Sequence, residues 1–140
     1  MTDKLDREIM EILRADARRP FVDIAQQLSV SEGTIRSRVR KLTEDGTIRG
    51  FTIKTSSKNV KALVEVRINV DTDTHKIADD LTKIYGVTEV FEVTGDQDII
   101  AIIDVESSQK LNDIVEVVRH NDSVSSTRTH VILKEHYGAI

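Results

Sequence analysis

The sequence has no cysteine, a single proline, six glycines and few aromatic residues, 4% of its 140 positions. Without cysteine, disulfides and thiolate metal sites are excluded. No apolar run approaches the roughly 20 residues a membrane span needs, and the opening MTDKLDREIM lacks the apolar core of a secretory signal. Histidine is also sparse: His75, His120, His130 and His136. His130 and His136 would share one strand face, but six residues at about 3.3 Å each set them ~20 Å apart, too far for one metal. There is no glycine-rich phosphate loop and no Ser/His/Asp arrangement. Asp79 and Asp80 fall on an amphipathic helix, where a solvated face accounts for them. Neither catalysis, a metal or cofactor, nor a membrane partner is expected, and a cytoplasmic protein is.

What is present suits a folded chain. Hydrophobic residues are 39% and charged residues 31%, enough for one ordinary domain or two small ones. The formal net charge of -4 is unevenly shared: it is +1 up to Gly50 and -5 from Phe51 onward. Such asymmetry points to two halves with different tasks.

The first half reads as three helices. Thr2 or Asp3 can cap the first, whose Leu5, Ile9, Ile12 and Leu13 recur at helical spacing. Pro20 fits the start of a short second helix, with Phe21, Ile24, Ala25 and Leu28 as its apolar stripe. After a tight Ser29-Val30 connection, Ser31 can cap a third helix running to about Thr43, and Asp45-Gly46 stops it. IRGFTIKT then reads as a strand or wing, followed by the polar linker SSKN. The expected divisions are residues 1–50, a strand and linker over 51–60, and a second domain over 61–140.

The second half alternates strand and helix. ALVEVRINV sets Val64, Val66, Ile68 and Val70 on one face and Glu65, Arg67 and Asn69 on the other. THKIADDLTKIYG is an amphipathic helix ending at Gly86, VTEVFEVTG a second strand, and IIAIIDV an apolar, central one. Ser107 or Ser108 caps a helix built on Leu111, Ile114, Val115 and Val118, and SVSSTRTHVILK closes as a last strand. This βαββαβ pattern predicts a ferredoxin-like sandwich, and the whole chain an α+β protein with an N-terminal winged helix-turn-helix. Two helices cover one sheet face only, so a partner subunit is expected on the other.

The third helix, SEGTIRSRVRKL, carries the sharpest functional signal. Ile35, Val39 and Leu42 form its inward stripe, leaving Gly33, Ser37, Arg40, Lys41 and Glu44 outward and Thr34, Arg36 and Arg38 on the flanks. Small polar residues near the N-terminus give room in a major groove, where Thr34 and Ser37 reach base edges. Arg36, Arg38, Arg40 and Lys41 around them suit phosphate. The alternatives are a solvated basic face and a three-helix module that binds another protein.

Together LDREIMEILRADARRP and DIAQQLSVSEGTIRSRVRKLTEDGTIRGFTI resemble the Lrp/AsnC family of transcription regulators, and the likeness extends across the second half. The matching elements are Leu5-Asp6, Ile9, Leu13, Asp16, Arg18, the Ser31…Arg38-Val39…Leu42 helix and Gly46…Ile48…Gly50. The resemblance implies a dimer, often a tetramer or octamer, on palindromic double-stranded DNA, with an amino-acid effector held by the sheet domain. Its effector loop corresponds to Gly95, Asp96, Gln97 and Asp98, with Gln97 where the family often has an aromatic, and Thr127 and Thr129 are lesser candidates. Asp side chains accept from an ammonium, and turn N–H groups donate to a carboxylate. Gly-Asp-x-Asp is also an ordinary hairpin turn, and both readings of this loop stay open.

Overall fold

The computed structural model describes residues 1–138. The chain divides into two compact units, Met1–Thr55 with Tyr137 and Gly138, and Ser56–His136.

The first unit is three helices, α1 (Lys4–Ala15), α2 (Phe21–Leu28) and α3 (Glu32–Glu44). Of the two possible caps for α1, Asp3 acts: its carboxylate accepts from the Asp6 N–H, and Asp6 accepts in return from the Asp3 N–H. This reciprocal capping box satisfies two donors that the first turn would otherwise leave open. Between α2 and α3 the chain turns through Ser29, held in the left-handed region at φ 57°. The Val30 N–H donates to the Ala25 carbonyl there, and Ser31 Oγ then accepts from the Thr34 N–H to start α3. Ile9, Ile24 and Ile35, one from each helix, are fully buried at the centre.

One expectation fails here. IRGFTIKT forms no strand, and among the described residues the first unit has no β-wing. A strand needs a neighbour to pair with its N–H and C=O groups, and no other strand lies among the described residues of this unit. Ile48 is fixed differently, donating its N–H to the Leu42 carbonyl and packing on the helical core, while Phe51 and Ile53 stay exposed.

The second unit runs β1 (Val60–Ile68), α4 (Thr74–Thr82), β2 (Val87–Glu92), β3 (Ile99–Val105), α5 (Ser108–Arg119) and β4 (Val124–Val131). The sheet is antiparallel in the order β2-β3-β1-β4, the ferredoxin-like arrangement, with the apolar β3 at an inner position as its composition demands. Ala62, Val64 and Val66 of β1 and Ile99, Ile103 and Val105 of β3 pack against Ile77 and Leu81 of α4 and Leu111, Ile114 and Val118 of α5. Val70 departs from its expected inward position: β1 ends at Ile68 and Val70 is exposed. The β1–β4 register shifts after Arg67, and the Asp98 carboxylate takes the Ile68 N–H, so the ladder stops before Val70. On the other sheet face Leu63, Ile100 and Ile102 are partly buried and Phe91 is exposed, ringed by Lys61, Glu65, Arg128 and His130.

Gly86, between α4 and β2, has φ 93°, and a Cβ added there would lie 2.5 Å from Val105 Cγ1 and 2.9 Å from Ile114 Cδ1. Gly46 has φ 81° but open space around it. Gly86→Ala should therefore cost about 2–4 kcal/mol, strain plus overpacking, against about 1–2 kcal/mol for Gly46→Ala. Urea unfolding of the two variants measures the difference, and equal losses would remove the packing component.

Candidate nucleic-acid interface and ligand cavity

The phase of α3 is set by Ile35, Val39 and Leu42, all buried. Gly33, Arg36, Ser37, Arg40 and Lys41 are exposed opposite or beside that stripe, whereas Thr34 and Arg38 are half-buried. The seven candidate residues therefore do not form one uniform surface. Gly33 has nothing nearer a notional Cβ than Ser31 Oγ at 3.9 Å, so this end of the helix is open. The Thr34 hydroxyl lies 2.8 Å from Ser31 Oγ and belongs to the cap.

The basic residues differ even more. Arg38 turns toward α1, where its guanidinium donates to Asp3 and, at 3.2 Å, to the buried Asp6. The Arg38 guanidinium, followed by the Asp6 N–H, holds the Asp3 carboxyl below its ordinary range, and the same two carboxylates raise Arg38 above its own. Arg36 turns the opposite way: it donates to Glu32 Oε1 at 2.5 Å and sits 5.4 Å from the centre of the Phe21 ring. Arg40 and Lys41 have no ion pair among the described residues. They are therefore available to an outside anion, whereas Arg38 is engaged within the unit. Sequence periodicity placed Arg38 on a flank but could not show that α1 offers two carboxylates there. The Glu32–Arg36 spacing of four residues was a readable signal that the charge pattern alone did not single out.

In the second unit the loop after β2 has two parts. Gly95 takes φ 114°, a conformation suited to glycine, with open space beside it. Asp98 is committed to the fold: its carboxylate accepts from the Ile68 N–H at 2.8 Å, and its own N–H donates to the Val66 carbonyl at 3.1 Å. Asp96 and Gln97 instead line a cavity of about 770 Å³ together with Glu65, Glu92, Val93, Thr94, Ile100 and Arg128. Glu65 there faces Arg128 at 3.6 Å and His130 at 3.3 Å. Gln97 Oε1 is buried with no hydrogen-bond donor among the described residues.

Thr127 and Thr129 lie elsewhere. β4 pairs them with Val66 and Val64, which point to the helices, whereas the intervening Arg128 pairs with Glu65 on the open face. Alternation along a strand thus puts both threonines on the opposite side of the sheet from Asp96 and Gln97. They line a separate hollow with Val115 and Arg119 of α5. Glu65, Glu92 and Arg128 were missed as cavity residues because cross-strand register is invisible in one sequence.

A tri-helical unit with a capped, basic, outward-facing second helix of a helix-turn-helix, followed by a ferredoxin-like unit with a cavity on its sheet, defines a two-part regulator. Residues 3–43 match the AsnC-type helix-turn-helix domain and residues 61–138 the Lrp/AsnC ligand binding domain. The chain belongs to the Lrp/AsnC family and is a DNA-binding transcription regulator of that type. It is 36% identical over 133 residues to the HTH-type transcriptional regulator LysM of Sulfurisphaera tokodaii, covering 94% of this chain and 95% of that one. Among solved structures it superposes on E. coli AsnC with a TM-score of 0.78 at 27% identity, over 100% of this chain and 97% of that chain. It shares its fold with a Neisseria meningitidis transcriptional regulator solved in complex with L-Met, at a TM-score of 0.81 and 20% identity over 99% and 94% of the two chains.

Because Arg38 joins α1 to α3, Arg38→Ala should lower the unfolding midpoint of the protein, while Arg40→Ala should leave it unchanged. The pH dependence has a definite sign. A carboxyl held low in the folded state adds stability that is complete above its unfolded pKa, near 4, and is lost as pH falls through its folded value. Wild type should lose stability more steeply than Arg38→Ala below about pH 4. Thermal melts across pH 2 to 7 for the three proteins test this, and parallel curves would rule it out.

Proposed function

We propose that residues 1–50 bind duplex DNA through Gly33, Arg36, Ser37, Arg40 and Lys41 of α3, with Thr34 and Arg38 shaping that surface from within. The observation that carries this is the outward face of α3, where small residues adjoin two cations that have no ion-pair partner among the described residues. Cations of that kind release condensed counterions when they meet phosphate, which supplies affinity without choosing sequence. Ser37 and the gap at Gly33 leave room for base edges in the major groove. Residues 51–60 serve as the connector, and residues 61–140 as the sensing and assembly half.

The protein acts in the cytoplasm as a homodimer or a higher oligomer such as a tetramer or octamer. The apolar centre of the open sheet face, Leu63, Ile100 and Ile102 with Phe91, supports this assembly. A two-fold dimer would offer two copies of α3 to a palindromic site whose halves lie ~34 Å apart. The effector is an amino acid, in keeping with the L-Met complex of the Neisseria protein. Asp96, Gln97, Glu65 and Arg128 furnish what such a molecule needs, carboxylate acceptors for its ammonium and a guanidinium for its carboxylate. Gly95 and Asp98 hold the loop beside them, and Thr127 and Thr129 would contribute only through a neighbouring copy.

Retardation of genomic DNA fragments at rising salt tests the DNA reading. Affinity should fall steeply, and the double variant Arg40→Ala/Lys41→Ala, which removes two cations from each α3 of a dimer, should bind all sequences more weakly with a log–log salt slope smaller by about 4. Binding that ignores salt would instead favour a protein partner for this unit. Calorimetry with the twenty amino acids tests the effector: Arg128→Ala should weaken the heat-producing ligand by about tenfold or more. No heat from any amino acid would overturn that assignment.

A further inference from the structure

Four basic side chains leave α3, and one of them is held as the others are not. Arg40 and Lys41 are exposed and unpaired among the described residues, which suits phosphate, a target met from many directions. Arg38 is taken up by Asp3 and Asp6. Arg36 remains 58% exposed at its side chain, yet it is gripped on two sides, by Glu32 Oε1 at 2.5 Å and by the Phe21 ring at 5.4 Å. These two contacts bias its guanidinium toward one orientation before anything binds.

This arrangement is poorly matched to phosphate. A carboxylate beside the guanidinium offsets its charge and repels the DNA backbone, so Glu32 lowers the affinity that Arg36 could supply there. A base edge has other requirements. Guanine presents O6 and N7 as two acceptors in one plane, and a planar fork already biased toward one orientation meets both. Arg36 also lies in the second turn of α3, next to Ser37 and within the N-terminal part that enters a major groove. Biasing a side chain in advance reduces the ordering cost on binding, and here the favoured direction is what discriminates one base from another.

We infer that Arg36 reads a guanine in each half-site, with Glu32 and Phe21 as positioning residues that set the plane of its guanidinium. The inference rests on the DNA-binding reading above and goes beyond it by separating Arg36 from the phosphate contacts. Glu32 then has a distinct signature: its removal should strengthen binding to random DNA while blunting sequence choice.

The test is selection of full-length protein on random duplexes, followed by affinities for the selected site and for the same site with its G·C pair changed to A·T. Wild type should select a fixed G·C pair in each half and lose about 10- to 100-fold on the change. Arg36→Lys keeps the charge and loses the fork, so its salt slope should match wild type while the discrimination shrinks to a few-fold. Glu32→Ala should bind random duplex more tightly than wild type and discriminate less. Both substitutions sit on an exposed helix face, and unchanged melting curves would show that the fold persists; for a variant that melts early, the affinities are read well below its midpoint. If Arg36→Lys selects the same site with undiminished discrimination, or if Glu32→Ala leaves sequence choice intact, the inference is overturned. If wild type binds duplex with a steep salt slope but fixes no guanine, the inference alone fails. If wild type retains no duplex even at low salt, the DNA reading fails and takes the inference with it.

Discussion

Arg38 ties α3 to the capped start of α1. Its guanidinium reaches Asp3, which caps α1, and Asp6, which completes the same cap from inside. The two carboxylates already accept from each other's backbone N–H groups, so a single cation binds a preformed acidic pair. Apolar packing of Ile9, Ile24 and Ile35 brings α1, α2 and α3 together, and the buried stripe of Ile35, Val39 and Leu42 sets the phase of α3. The directional, charge-assisted contact of Arg38 reinforces that phase at one edge. What α3 shows to the outside is consequently settled on its inner flank.

The sheet unit solves a similar problem through alternation. Each strand has one set of side chains for the helices and another for the open face, and cross-strand register decides which residues meet. Glu65, Ile100 and Arg128 come from three different strands and converge because β3, β1 and β4 are adjacent in that order. Moving β4 by one residue would bring Thr127 or Thr129 to this cavity and send Arg128 to α5. The register that forbids it is the one that buries Val64 and Val66.

Much of this could be read from the residues in advance. Ile35, Val39 and Leu42 announce the phase of α3, Ser31 its start, and IIAIIDV a strand covered on both edges. Those signals are local, since periodicity, caps and apolar runs involve residues within one element. What escaped reading was long-range. Asp3 and Arg38 are 35 positions apart, and nothing in either segment alone indicates the pairing. Val70 continues the alternation of β1 perfectly well, but Asp98, thirty residues away from Ile68, ends that ladder. IRGFTIKT has the composition of a strand and lacks a neighbour to pair with, which composition cannot supply.

The loop from Gly95 to Asp98 looks from outside like a hairpin tip, the sort of place where insertions and grafts are usually accommodated. Its last residue is nevertheless stitched into the middle of the sheet, through the Ile68 N–H and the Val66 carbonyl. Shortening the loop before Asp98 would pull at the end of β1, not merely trim a surface turn. For anyone wishing to re-engineer ligand preference here, the freedom lies at Asp96 and Gln97. Asp98 has to keep its place at the end of β1, so diversity at this site comes most directly from side-chain chemistry at constant spacing.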